Sequence, residues 1–148
     1  MKTMLILAIA ATAFGVAGPA FAQQAAAPTA EQTYKEIEAT YGVLPGFVKA
    51  YPKTAIAGAW AMTKQLEMNP ESKLDQKTKM LINIAVAAQI PCRYCVWLDT
   101  KMAKQQGATE EEIAEAVAQA GLTRHWSTVL NGLQIDFDTF KAEFGGDS

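Results

Sequence analysis

Helix-starting signals constrain the fold of this chain more than any other feature of its sequence. Thr29 stands three residues before Gln32, and Thr109 stands three residues before Glu112, which is the capping-box spacing that opens an α-helix. Asp75 is a third residue of a type that caps helix N-termini. No stretch alternates apolar and polar residues long enough to indicate a half-buried strand. The sequence therefore predicts an all-α fold, a compact bundle of about six helices joined by short loops.

Glycines and an Asn-Pro pair mark where these helices end. Pro91 fits the first position of a helix, where a backbone N–H is not needed. Asn131-Gly132 is a natural interruption of the last helical region. Helices are predicted over residues 30–41, 53–68, 76–89, 91–106 and 110–121, with a last helical region from about residue 123. In the second predicted helix, one stripe at helical spacing is expected to face the core of the protein. It consists of Ile56, Ala59, Trp60, Thr63 and Leu66.

The first 22 residues have the pattern of a secretory signal peptide. Lys2 precedes the short apolar run MLILAIAATAFGV, and an Ala-Phe-Ala sequence ends at Ala22. The alternative, an anchoring transmembrane helix, would need about 20 apolar residues. We therefore expect cleavage before Gln23, export of the mature chain to the periplasm, and no membrane association of the mature form.

The mature chain, residues 23–148, has the length of a single domain. Residues 23–40 are expected to form an N-terminal lead-in and a first helix, and residues 41–148 the main helical domain. Removing Lys2 leaves 12 of the 13 basic residues against 15 acidic ones, a net charge of −3. Because no basic cluster is present, nucleic acid is not an expected partner.

The chain has two cysteines, Cys92 and Cys95, and they lie three residues apart at the start of a predicted helix. This spacing puts both thiols on one helix face, where they can form a disulfide. The unpaired N–H groups of a helix start lower the pKa of a thiol, which favours a redox pair. Val96 excludes a C-x-x-C-H haem site, two cysteines and one distant histidine are too few for structural zinc, and no strand precedes the motif as in thioredoxin. A passive disulfide remains open, although closing so small a ring stabilises a fold little.

The segment LINIAVAAQIPCRYCVWLDTKMAKQQGATEEEIAEAVAQAG resembles the core of the alkylhydroperoxidase D and carboxymuconolactone decarboxylase-like family. With the upstream stretch YGVLPGFVKAYP, the resemblance covers about residues 41–132. It implies an all-helical fold and assembly as a homo-oligomer, often a trimer or hexamer. In the redox-active branch of the family, the cysteine pair reduces hydroperoxides or disulfides, whereas the decarboxylase branch generally lacks the pair.

The resemblance also implies a proton relay that this chain does not reproduce. Met80 stands where the family has a glutamate, and Asp99 stands where it has a histidine. Asp99 lies one turn after Cys95, so it is either a local base for that thiol or a solvated surface residue. His125, the single histidine, is a candidate replacement for the missing imidazole and otherwise a structural or surface residue. A weaker expectation is that Arg124 pairs with Asp99 or stabilises a thiolate.

These features together predict a thiol-dependent oxidoreductase that reduces a small hydroperoxide or disulfide. The predicted catalytic residues are Cys92, Cys95, Asp99 and His125. No bound metal or organic cofactor is required, and the electron donor is unidentified. The alternatives are a decarboxylase acting on a small lactone acid, and a non-enzymatic oligomeric protein with a structural disulfide. Three tryptophans spread over different predicted helices add to the expectation of a homo-oligomer.

Overall fold

Residues 27–146 are described by a computed structural model, and they form only helices and connecting turns. The elements are α1 (Ala30–Tyr41), α2 (Gly46–Ala50), α3 (Ile56–Thr63), a π-helical segment (Lys64–Met68), α4 (Gln76–Gln89), α5 (Arg93–Gln105), α6 (Glu110–Gly132) and α7 (Phe137–Glu143). The all-α prediction is confirmed. The predicted signal peptide lies outside the described residues.

The helix starts follow the capping signals in the sequence. The Thr29 side chain accepts from the backbone N–H of Gln32, and the Gln32 side chain accepts from the N–H of Thr29. Thr109 and Glu112 form the same reciprocal pair at the start of α6. At α4 the Asp75 side chain accepts from the N–H of Thr78. Each cap satisfies N–H groups that a helix start would otherwise leave unpaired, which fixes where the helix begins.

The predicted helix boundaries at Gly121 and Lys53 are wrong. The predicted end at Gly121 does not occur, because α6 continues through it to Gly132, and residue 123 starts no new helix. An isolated glycine costs a helix only about 1 kcal/mol relative to alanine, which the surrounding helix formers offset. The helix predicted from Lys53 begins instead at Ile56, since the carbonyl of Pro52 closes a turn with the N–H groups of Ala55 and Ile56.

The buried apolar residues form two clusters, one in each half of the described chain. The first joins α1, α2 and α3 through Ile37, Val48, Ile56 and Trp60. The second joins α4, α5 and the loop before α6 through Met80, Ile84, Ala103 and Ala108. α4 packs against both α5 and α6, so the helix that carries the cysteine motif rests on the second cluster.

Large apolar side chains also remain on the surface of the chain. Trp97 is 66% exposed, Phe47 is 72% exposed, and α6 contains no buried residue over its whole length. Between residues 27 and 146, no helix combines the length and apolarity needed to cross a membrane.

Candidate functional site

Cys92 lies at the N-cap of α5, two positions earlier than the sequence predicts. Its backbone is extended, and its N–H donates to the carbonyl of Ala87 at 2.9 Å. The first helical residue is Arg93, so Pro91 precedes the helix instead of occupying its first position. The Sγ atom of Cys92 accepts from the backbone N–H of Cys95 at 3.2 Å. The Cys92 side chain therefore caps the start of α5, as the side chain of serine or aspartate caps other helices.

Cys92 and Cys95 are joined by a disulfide, with their Cα atoms 5.3 Å apart. That separation falls within the ordinary range for disulfides, so the N-cap geometry brings the two sulfurs together without rearranging the backbone. Both residues are half-buried. In the reduced protein, the helix-start N–H groups that face Cys92 would stabilise its thiolate.

A surface cavity of about 790 Å³ opens beside Cys92, between α4 and α5. Its apolar wall includes Ala87 and Ala88 of α4 and Val96 and Trp97 of α5. We call this cavity the Cys92 groove. A small molecule in the groove would lie beside Cys92 against an apolar surface.

Asp99 faces a different cavity, on the other side of α5. This second cavity, of about 470 Å³, is lined also by Tyr41, Glu67, Met80 and Asn83. Burial raises the pKa of the Asp99 carboxyl above its ordinary value, and the negative charge of Glu67 raises it further. A desolvated carboxylate one turn from Cys95 is a better proton acceptor than a solvated one. The pKa of Asp99 therefore differs from that of a solvated surface aspartate, and its role as a local base for Cys95 stays a prediction.

Glu67, on the π-helical segment, is a residue of this cavity that the sequence did not predict. Its Oε1 accepts from Nδ2 of Asn83 at 3.3 Å. Its Oε2 is buried and has no hydrogen-bond partner among the described residues. The α-helical stripe in the sequence predicts that Leu66 faces inward. A π turn contains one residue more than an α turn, so it moves the inward face by one residue along the chain. Leu66 is 62% exposed as a result, and Glu67 points towards Asp99.

Met80 is a core residue that also lines the cavity of Asp99. Its side chain is only 2% exposed and packs in the second apolar cluster. The thioether cannot carry a proton, as the sequence already indicates. Glu67, on the π-helical segment, is the other acidic residue that lines this cavity with Asp99.

His125 lies on the exposed part of α6. Its ring contacts the ring of Trp126 edge to face, with centroids 5.1 Å apart, and it lines neither the Cys92 groove nor the cavity of Asp99. Arg124 donates from Nε to Oε1 of Gln89 at 2.8 Å, so the expected pairing of Arg124 with Asp99 is not found. Cys92 and Cys95 are thus joined at the start of α5, Asp99 lies one turn after Cys95 and lines the other cavity, and His125 lines neither cavity. The role of His125 stays a prediction.

The part of the chain from residue 27 to residue 146 contains no group of three or more histidine, cysteine, aspartate or glutamate residues placed to hold a metal ion. Glu67 and Asp99 share their cavity with the amide of Asn83, the phenol of Tyr41 and the thioether of Met80.

Comparison with known proteins identifies the fold and the family of this chain. The crystal structure of the alkylhydroperoxidase AhpD core from Rhodospirillum rubrum superimposes with a TM-score of 0.65 at 25% identity, over 74% of this chain and 83% of that one. "Uncharacterized protein 4 in cox locus" from Paracoccus denitrificans is 43% identical over 47 residues, which are 32% of this chain and 42% of that protein. The chain thus matches less than half the length of this curated relative. The model of the carboxymuconolactone decarboxylase family matches residues 54–136, which is more than half of the sequence. The chain belongs to the carboxymuconolactone decarboxylase family.

Proposed function

We propose that this protein is a thiol-dependent oxidoreductase that reduces hydroperoxides or disulfides by cycling Cys92 and Cys95 between dithiol and disulfide. The observation that carries the proposal is the position of Cys92 at the N-cap of α5, with its Sγ facing the N–H of Cys95 and opening on a groove. The similarity to a structure titled as an alkylhydroperoxidase core supports it.

The proposed reaction with a hydroperoxide begins at Cys92. Its thiolate attacks the terminal peroxide oxygen, so that an S–O bond forms, the O–O bond breaks and the alkoxide leaves. The alkoxide takes up the proton that Cys92 lost when it ionised. Cys92 is then a sulfenic acid, and the peroxide has been reduced to an alcohol.

Cys95 completes the cycle by attacking the sulfur of Cys92. Asp99 accepts the thiol proton of Cys95, the S–S bond forms as the S–O bond breaks, and the same proton passes to the departing hydroxide to give water. The two cysteines have then supplied two electrons, and an external dithiol donor must restore them. Glu67 assists by facing Asp99, since its negative charge makes the Asp99 carboxylate a stronger base.

A second candidate is decarboxylation of a small lactone acid, which the match to the carboxymuconolactone decarboxylase family favours. Under this alternative the cavity of Asp99 and Glu67 would hold the substrate, and the cysteines would be dispensable. Replacing both cysteines with serine separates the two candidates, because a decarboxylase would keep its turnover.

The direct test is hydroperoxide turnover by the reduced protein, with the thiol state followed by mass spectrometry. We expect Cys92→Ser to abolish reduction of the peroxide. Cys95→Ser should still react once with peroxide and then stop at the sulfenic acid of Cys92. Full turnover by the double serine variant would refute the proposal.

The mature protein is also proposed to be an exported homo-oligomer. The exposed apolar side chains, Trp97 and Phe47 among them, are the surface that association with further copies would cover. Light scattering at micromolar concentration should give a mass above that of a single chain, and a monomer would contradict this. Mass spectrometry of exported protein should find Gln23 at the N-terminus, whereas an intact Met1 would contradict export by cleavage.

A further inference from the structure

The Cys92 groove combines an apolar wall with positive charge. Besides Ala87, Ala88, Val96 and Trp97, it is lined by Arg93, Lys101 and Lys104, and no acidic residue lines it. The chain as a whole has a formal net charge of −2. The three cations along the groove are therefore a local excess of positive charge on a protein with a negative net charge.

Two of these three cations have no carboxylate partner among residues 27–146. Lys104 forms an ion pair with Glu110 at 2.5 Å, so its charge is already compensated. Lys101 lies over the ring of Trp97 with its Nζ 5.5 Å from the centroid. Arg93 lies over the ring of Tyr94, with its Cζ 5.0 Å from the centroid. The faces of aromatic rings orient these cations without neutralising them, so both remain available to an anion.

The spacing along α5 separates the sulfur of Cys92 from Lys101, the more distant of these two cations. Lys101 is nine residues after Cys92, which is a rise of roughly 13 Å along an α-helix. Val96 and Trp97 lie between them on the wall of the groove. A molecule that reacts at Cys92 and also reaches Lys101 must therefore have an apolar chain between its reactive group and its negative charge.

We propose that the Cys92 groove binds the hydroperoxide of a long-chain carboxylic acid, with the peroxide at Cys92 and the carboxylate at Lys101. This inference rests on the proposed peroxidase function and specifies its substrate class. Arg93, next to Cys92, adds positive charge near the sulfur and so favours the thiolate. A neutral hydroperoxide would use the same apolar wall but would gain nothing from Lys101.

Linoleic acid hydroperoxide and its methyl ester are a matched pair of substrates for the test, used below the concentration at which either aggregates. They share the peroxide and the apolar chain and differ in the negative charge. The full mature protein should show a higher kcat/KM for the acid than for the ester. Lys101→Gln should lower kcat/KM for the acid, relative to that for the ester, by between about twofold and fivefold, the range of a solvent-exposed ion pair. Lys73→Gln, at an exposed lysine away from the groove, is the control and should change neither value.

The outcomes distinguish this inference from the proposed function. Equal kcat/KM for acid and ester in the unmodified protein, or an equal loss for both in Lys101→Gln, would overturn the substrate assignment and leave the peroxidase proposal standing. Turnover of neither substrate by the reduced protein would overturn both. Added salt should reduce the preference for the acid, because it screens an exposed charge pair; a preference that does not change with salt would also overturn the assignment.

Discussion

Replacement of Asp99 by asparagine should slow disulfide formation without damaging the fold. Asparagine has nearly the same shape but cannot accept the thiol proton of Cys95. A positioned base contributes about 10²–10⁴-fold to a rate. Asp99 is only half-buried, so water can replace it in part, and we expect a loss near the lower limit. A loss of about 10²-fold corresponds to about 2.7 kcal/mol in the activation free energy.

The assay is a single turnover of the reduced protein with excess hydroperoxide, followed by the appearance of the disulfide over a range of pH. Because Asp99 must be ionised to accept a proton, the rate should rise with pH through the raised pKa of Asp99. Asp99→Asn should lack this rise. Asp138→Asn, at an exposed aspartate on α7, is the matched control. An unchanged rate and pH profile in Asp99→Asn would refute the role of Asp99.

The same variant should be more stable than the unmodified protein at neutral pH. The pKa of Asp99 is raised in the fold above the ordinary value of 3.8. At any pH between these two pKa values, folded Asp99 binds more protons than unfolded Asp99. Stability therefore falls as pH rises through this interval, since ionising a partly buried carboxyl beside Glu67 is unfavourable. Asp99→Asn removes this penalty, so its Tm should exceed that of the parent at pH 7. The two should converge as pH falls below the ordinary aspartate pKa.

The remaining predictions concern the neighbours of this site and the cores that support it. Glu67→Gln should shift the pH–rate rise to lower pH, because it removes a charge that raises the pKa of Asp99, while Glu71→Gln in the nearby loop should not. The shift should be partial, since burial is the larger cause. Ile84→Ala, at a side chain only 1% exposed, should lower the free energy of unfolding by about 2–5 kcal/mol in urea titrations. Thr109→Ala should lower it by about 1 kcal/mol through loss of the α6 cap.

The helix starts could be predicted from the sequence because capping is a local interaction. Thr29, Asp75 and Thr109 each bond to a backbone N–H three residues away, so the information lies within one turn of the chain. The predicted end at Gly121 failed because glycine permits a helix end without requiring one. At Gly42 and Gly107 the left-handed backbone, with φ of +75° and +82°, does end a helix.

The candidate site was predictable where it depends on one helix. Cys92 caps α5, and Cys95 and Asp99 lie one turn apart on it, so their order along the helix follows from helical spacing. Glu67 was not predictable, because a π turn displaces the inward face by one residue and no residue type signals such a turn. The N-cap position of Cys92 was missed because Pro91 fits the first helical position as well as the one before the cap. His125 lies on a different helix, and the sequence contains no information on its distance from the cysteines.

The most direct test of the central claim is the stoichiometry of hydroperoxide consumed against disulfide formed in the reduced mature protein. The account predicts one Cys92–Cys95 disulfide for each hydroperoxide reduced in a single turnover, and continued turnover once a dithiol donor is added. Peroxide loss without disulfide formation, or an unreactive cysteine pair in a folded protein, would contradict it.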